Sequence, residues 1–212
     1  MVAAAHNMQG EVSSVKVFLF LYPTSRYIDD FVKDAFGTRG LPMNLDRLNQ
    51  IIDIRYRQQD YKVIWVTEGK KPDYSQPDPE LISDLIDIRK EDQVVSCGSD
   101  FVGFIHGYDP TPQIFAHLPP TTTNLVVGGY HQWDCVDHMA EFSYYKGILT
   151  WVDEDTTERY FSQMGLSFEI PDTRVRTLDG IDMTKERLNL DEYRFRKMVL
   201  EPRSEKPWFT HE

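Results

Sequence analysis

Short apolar runs alternate along the chain with longer amphipathic stretches, and both patterns predict regular secondary structure. The apolar runs are rich in β-branched and aromatic residues, which is typical of strands covered on both faces of a sheet. They predict five strands, over residues 16–22, 62–67, 93–97, 124–128 and 148–152. The stretch 68–79 is rich in Pro, Lys, Asp and Ser, and it is predicted to be a loop.

Apolar residues at helical spacing predict helices between these strands. Asn44 is a favourable N-cap for a helix whose apolar face includes Leu45, Leu48, Ile52 and Tyr56. The clearest helical pattern spans residues 132–146 and ends before Gly147, a natural C-terminal stop. Further helices are predicted over residues 25–36, 81–88, 113–118 and 156–164.

Strands joined through helices indicate a three-layer α/β/α fold with Rossmann-like topology and a mainly parallel central sheet of about five or six strands. We divide the chain into a disordered lead-in over residues 1–14, an α/β domain over 15–165 and a C-terminal extension or arm over 166–212. The arm mixes large apolar side chains with charges. We therefore expect it to pack on its own domain or on a second subunit, and we expect a homo-oligomer.

Composition narrows the function classes. The 212 residues carry 23 basic and 34 acidic side chains, a net charge of −11, which disfavours binding to nucleic acid or to a membrane surface. The two cysteines form no CxxC pair, so neither a disulfide framework nor a zinc ribbon is expected, and a reducing, cytoplasmic setting is the default. The apolar runs are too short to span a membrane. No cofactor is indicated.

In a parallel sheet, ligands bind beyond the carboxyl ends of the strands, which directs attention to the segment after the fourth strand. There Cys135 falls in the first turn of the long helix, where free N–H groups and the helix dipole stabilise a thiolate. The neighbouring Asp134 opposes thiolate formation, and a small buried hydrophobe is the alternative role for this cysteine. His131, Asp134 and His138 lack a recognised ligand spacing, so no metal site is expected and solvent-facing histidines are the simpler interpretation.

The spacing of several residues carries a family resemblance. Cys135-Val136 lies six residues after Gly129, Gly147 lies twelve residues after the cysteine, and Asp155 lies eight residues further on. With Ala140 in the intervening helix, this joint pattern resembles the isochorismatase-like cysteine hydrolases, which include nicotinamidases and carbamoylsarcosine amidases. The resemblance covers roughly residues 16–164. It implies their α/β fold, with Cys135 in the position of the nucleophile.

Other family positions are not matched. Tyr22 or a close neighbour stands where the family has a catalytic Asp, and Cys97 stands where it has a catalytic Lys. Trp133 replaces the Thr that precedes the nucleophile by two residues. The segment after the second strand, which begins at Glu68, lacks the histidine of the nicotinamidase metal motif. Because a thiol nucleophile needs activation, these departures put the ordinary amidase chemistry in doubt.

Three hypotheses follow. The first is an isochorismatase-like protein without standard amidase chemistry that binds a small molecule or a protein at the former active-site cleft. The second is a cysteine hydrolase acting on a small amide or related C–N bond, with Cys135 as nucleophile and His131 as substitute base. The third is a structural or assembly protein acting through the C-terminal arm. The residues expected to line the cleft are Tyr22, Thr24, Arg26, Cys97, Gly129, Tyr130, Trp133 and Asp134.

Overall fold

A computed structural model describes residues 14–28, 45–100, 102–103, 106–130, 135–157 and 206–208. The strands are β1 (Val15–Leu21), β2 (Tyr61–Thr67), β3 (Gly69–Lys70), β4 (Asp73–Pro77), β5 (Gln93–Ser96), β6 (Thr122–Gly129) and β7 (Leu149–Thr157). The helices are α1 (Leu45–Ile51), α2 (Thr111–Ala116) and α3 (Asp137–Tyr145). No helix within the described ranges is long and apolar enough to cross a membrane.

Five strands form the central sheet in the order β5–β2–β1–β6–β7, and every neighbouring pair is parallel. The predicted fold class is therefore confirmed. From β1 the chain moves outward through β2 to β5, and it then crosses to the other side of β1 to form β6 and β7. The direction of winding thus changes between β1 and β6, which is where open α/β sheets form a ligand crevice at the carboxyl ends of their strands.

The centre of the sheet holds the core. The five residues from Val17 to Leu21 are fully buried, as expected of a strand with neighbours on both sides and layers on both faces. Helix α1 continues into a π-helical turn (Ile52–Tyr56) and a 3-10 turn (Arg57–Gln59), and Leu48, Ile52 and Tyr56 of the predicted apolar face are buried. Its last aromatic ring, Tyr56, stacks on Phe18 at a centroid distance of 3.9 Å.

A buried ion pair joins the 3-10 turn after α1 to the loop before β5, and a hydrogen bond links the same carboxylate to β2. The Arg57 Nη2 lies 2.5 Å from the Asp92 Oδ2, and their side chains are only 7% and 2% exposed. The same carboxylate accepts hydrogen bonds from the Trp65 indole at 2.9 Å and from the Arg89 backbone N–H at 3.0 Å. Asp92 thus neutralises a buried guanidinium and satisfies a buried indole at once.

The prediction of a loop over 68–79 was wrong, because β3 and β4 pair there as an antiparallel hairpin. The side chains of this hairpin are mostly exposed, so no apolar alternation marks it in the sequence. At Gly69 a Cβ atom would lie 2.3 Å from the Tyr74 carbonyl oxygen, so only glycine permits this close pairing.

The helix predicted over 81–88 was also wrong. A 3-10 turn (Pro79–Leu81) is followed by turns, and Ile82 forms an isolated bridge with Thr24. The Asn49 side chain accepts a hydrogen bond from the Asp87 N–H and donates one to the Leu85 carbonyl, which takes these backbone groups away from a helical ladder.

Other predicted boundaries shift. Thr156 and Thr157 belong to β7 rather than to a following helix. The helix predicted over 113–118 lies at Thr111–Ala116, and that predicted over 132–146 appears as a π-type turn at 135–136 followed by α3. Residues 25–28 are helical. The rest of the helix predicted over 25–36, the Asn44 cap, the lead-in and most of the arm lie outside the described residues.

Candidate functional site

The carboxyl ends of β1, β2, β5 and β6 meet at one edge of the sheet. The residues that follow them are Tyr22, Glu68, Cys97 and Tyr130, and all four are buried. Because β1 and β6 flank the change in winding direction, this edge is the place where the topology favours a ligand site.

Tyr22 occupies the centre of this edge. Its side chain is 2% exposed, and its backbone is left-handed, with φ of 58°, an unfavourable conformation for a bulky residue. The backbone N–H donates to the Val66 carbonyl at 2.9 Å, which helps to hold that conformation. Such strain is found where surrounding contacts over-determine a residue, often at a functional site.

The thiols of Cys135 and Cys97 both act electrostatically on the Tyr22 hydroxyl, so three segments separated in sequence approach one another here. Burial, reinforced by these neighbours, raises the pKa of Tyr22 well above its ordinary value. At neutral pH the phenol therefore keeps its proton. It can donate a hydrogen bond, but it cannot remove a proton from a thiol.

Gly129 and Tyr130 fix the end of β6 against the end of β1. The backbone of Gly129 has φ of 107°, and a Cβ atom there would lie 2.2 Å from the Leu21 carbonyl oxygen. That same carbonyl accepts a hydrogen bond from the Tyr130 N–H at 3.1 Å. The buried Tyr130 ring stacks on Tyr27 with centroids 5.4 Å apart, so aromatic packing supports this edge.

Cys97 lies at the end of β5 and is fully buried. Burial is the main cause that raises the pKa of its thiol to about 12, and the nearby Glu68 carboxylate adds to the effect. The sulfur contacts the Ser99 carbonyl oxygen at 3.3 Å. The Cys97 side chain is therefore an uncharged thiol at neutral pH.

Glu68 and Arg26 form an ion pair at the edge. The Arg26 guanidinium lies 3.4 Å from the Glu68 carboxylate, which is buried, whereas the arginine is about half exposed. Thr24 is also buried, and its carbonyl accepts hydrogen bonds from the N–H groups of Tyr27 and Ile28, each at 3.0 Å. Arg26 is thus partly open to solvent, while Thr24 begins the helical turn that follows Tyr22 in the chain.

Cys135 is half-buried and lies in the turn that precedes α3. It contributes to the wall of a cleft of about 810 Å³ between α3 and the segment that leads into α2. Aromatic, polar and charged side chains share the lining. The lining residues are Gly107, Tyr108, Asp109, Pro110, Thr111, Cys135, His138, Glu141, Phe142, Tyr145 and Lys146.

The structure thus brings together Tyr22, Cys97 and Cys135 at the end of the sheet, with Gly129 and Tyr130 forming the adjoining turn. The predicted site residues His131, Trp133 and Asp134 lie outside the described residues. Within the described ranges, no cluster of three or more His, Cys, Asp or Glu side chains has the arrangement of a metal site.

Sequence reasoning missed several side chains of the site. Glu68 directly follows β2, so its position after a buried strand was a usable signal. Tyr27 supports the edge through ring contacts, and Tyr108 reaches it through a hydrogen bond to the Cys97 carbonyl at 3.3 Å. Neither contact has a local sequence signal. His138 lines the cleft together with Cys135, because residues about one helical turn apart lie on the same face of a helix.

Comparison with known proteins gives a likeness in structure only. No family profile and no curated protein matches the chain. An isochorismatase family protein from Burkholderia thailandensis is 15% identical with a TM-score of 0.47, covering 76% of this chain and 89% of that one. For the zinc complex of a pyrazinamidase from Pyrococcus horikoshii the identity is 9%, the TM-score 0.46 and the coverage 68% and 86%.

An N-carbamoylsarcosine amidase from Thermoplasma acidophilum is 16% identical with a TM-score of 0.44, covering 68% of this chain and 84% of that one. The solved structures that the chain is similar to thus include isochorismatase-family proteins, as the sequence resemblance predicted.

Proposed function

We propose that the protein binds a small molecule in the cleft beside Cys135 and does not perform the amidase chemistry of the isochorismatase-like hydrolases that it resembles. The observation that carries the proposal is the buried Tyr22 side chain at the end of β1, where the Cys135 thiol acts electrostatically on its hydroxyl. In the resembling family, this place at the end of the first strand holds the carboxylate that acts as base toward the nucleophile.

The chemistry of the edge supports a binding role. A thiol attacks a carbonyl efficiently only as a thiolate, which requires a base or a nearby cation. Tyr22 keeps its proton at neutral pH, and the thiol of Cys97, with its pKa raised to about 12, supplies no cation. The two positions that would activate a nucleophile in the resembling family therefore carry neutral hydrogen-bonding groups.

The cleft itself suits a ligand. Its volume of about 810 Å³ lies in the range of small-molecule sites. Tyr108, Phe142 and Tyr145 offer ring surfaces, while Thr111 and His138 offer polar atoms. This combination of apolar walls with a few polar groups favours a ring-containing compound that bears hydrogen-bonding substituents.

A thermal-shift titration with aromatic amides and their acids tests the proposal, with nicotinamide, nicotinate, benzamide and benzoate as first probes. We expect saturable stabilisation by at least one probe, retained in Cys135→Ala and reduced in Phe142→Ala, because the ring surface contributes to binding and the thiol does not react. Lys62→Ala, an exposed change on β2, is the control. The absence of any shift across these probes and close analogues would contradict a ligand-binding cleft of this chemistry.

The exposure of Cys135 in the cleft wall favours a second candidate, a cysteine hydrolase acting on a small C–N bond. His131 would then supply the base. Ammonia release from the same amides distinguishes the two functions: release that is lost in both Cys135→Ala and His131→Ala supports the hydrolase. Binding without release supports the proposal made above.

A further inference from the structure

Residues 206–208 of the C-terminal segment are docked on α3 and β7, and we call them the C-terminal latch. The side chain of Trp208 is 2% exposed. Its indole Nε1 donates to the Asp137 Oδ1 at 2.7 Å, and its carbonyl accepts a hydrogen bond from the Val152 N–H of the edge strand β7, also at 2.7 Å. One residue of the latch therefore bonds to a helix and to a strand.

Asp137 is the receptor of the latch. It lies in the first turn of α3, two residues after Cys135, and it is buried. Its second oxygen, Oδ2, forms an ion pair with the Lys206 ammonium group. A buried carboxylate is tolerated only when charges and donors satisfy it, and here both the charge and the indole donor come from the latch.

The latch also extends toward the other end of the helix. The Trp208 ring lies 5.8 Å from the Tyr144 ring and 6.2 Å from the Tyr145 ring, measured between centroids. Tyr145 is in turn part of the cleft that holds Cys135. The latch thus contacts α3 at its first turn and at its last, on the helix that forms one wall of the cleft.

We propose that docking of the C-terminal latch on Asp137 controls the exposure of Cys135 and the shape of the cleft. With the latch docked, the first turn of α3 is held in place and the thiol stays half-buried. With the latch released, Asp137 loses its charged partner and its indole donor, and the turn that carries Cys135 opens as a local unit. This inference stands independently of the proposed ligand.

The test measures alkylation of each cysteine by iodoacetamide in the full-length protein, with the labelled peptides quantified by mass spectrometry. We expect Cys135 to react about tenfold faster in Trp208→Ala, which loses the whole indole, and about two- to threefold faster in Trp208→Phe, which keeps a smaller aromatic ring and loses the N–H. Cys97 is fully buried, so its labelling reports any global unfolding in the same sample.

Lys206→Met removes the ion pair to Asp137, and Lys62→Met makes the same change at an exposed site on β2 as a matched control. We expect faster Cys135 labelling in the first variant only. A peptide of residues 201–212 added to Trp208→Ala should restore protection, and the same peptide carrying Ala at position 208 should not. Unchanged Cys135 labelling in both Trp208→Phe and Lys206→Met would overturn the proposal, whatever Trp208→Ala does.

Discussion

Gly129 offers the sharpest test of how the site is built, because a single methyl group placed there meets the backbone of the neighbouring strand. In Gly129→Ala the new Cβ would lie 2.2 Å from the Leu21 carbonyl oxygen and 2.6 Å from the Leu21 nitrogen. Neither atom is the flexible end of a side chain. The ends of β1 and β6 must therefore move apart, which disturbs both Tyr22 and the hydrogen bond from Tyr130 to Leu21.

The loss of folding stability in Gly129→Ala has two parts. An alanine in the left-handed region costs roughly 1–2 kcal/mol, and forcing an extra carbon into a packed site costs about 1–3 kcal/mol more. We therefore expect the free energy of unfolding to fall by about 2–5 kcal/mol. For a protein of this size each kcal/mol shifts the melting temperature by roughly 2–4 °C.

Gly147→Ala is the matched control. Its φ of 85° is also positive, but nothing lies within 4 Å of the position of its Cβ. It should lose only the conformational part, about 1–2 kcal/mol. Chemical denaturation of both variants measures the difference. Equal losses in the two variants would refute the idea that close contact between β1 and β6 requires glycine at position 129.

Two further predictions concern buried polar groups. Asp92→Ala removes the carboxylate that compensates the buried Arg57 guanidinium and accepts from the Trp65 indole, so the free energy of unfolding should fall by about 3 kcal/mol. Asp92→Asn keeps an acceptor for the indole and should lose less stability. Equal losses in the two variants would contradict the role of that hydrogen bond. The pKa of Cys97 is raised to about 12, against 9.0 for an exposed thiol, so the folded state holds the thiol proton more tightly than the unfolded state does. The contribution of this thiol to stability is therefore present below pH 9 and is lost as the pH rises toward 12. A Cys97→Ala variant should lack this part of the alkaline decline in denaturation experiments, and an identical decline would contradict the burial effect.

The sequence predicts the sheet well because buried strands have a local signal. The continuous apolar run ending at Leu21 and the glycines at the end of β6 place the edge of the site. The hairpin of β3 and β4 was missed because its side chains face solvent and its stability comes from backbone pairing and tertiary contacts. One such contact is the bond from the Ser96 hydroxyl to the Tyr74 carbonyl at 2.6 Å.

The site was only partly predictable. Its placement after β1 and β6 follows from general rules for parallel sheets. The left-handed backbone of Tyr22 does not, because tyrosine has no preference for that conformation, and only the packed surroundings impose it. The bond between Trp208 and Asp137 joins residues far apart in the chain, so the sequence could indicate a packing arm but not its receptor.

The pH dependence of alkylation at Cys135 in the intact protein tests the central claim most directly. If the thiol faces a protonated tyrosine and lacks an activating base, its rate should keep rising through pH 8–9 as for an ordinary thiol. Tyr22→Phe, which retains the ring and removes the hydroxyl, should not slow it. A rate already at its plateau below about pH 7 would reveal a stabilised thiolate and contradict the proposed absence of amidase chemistry.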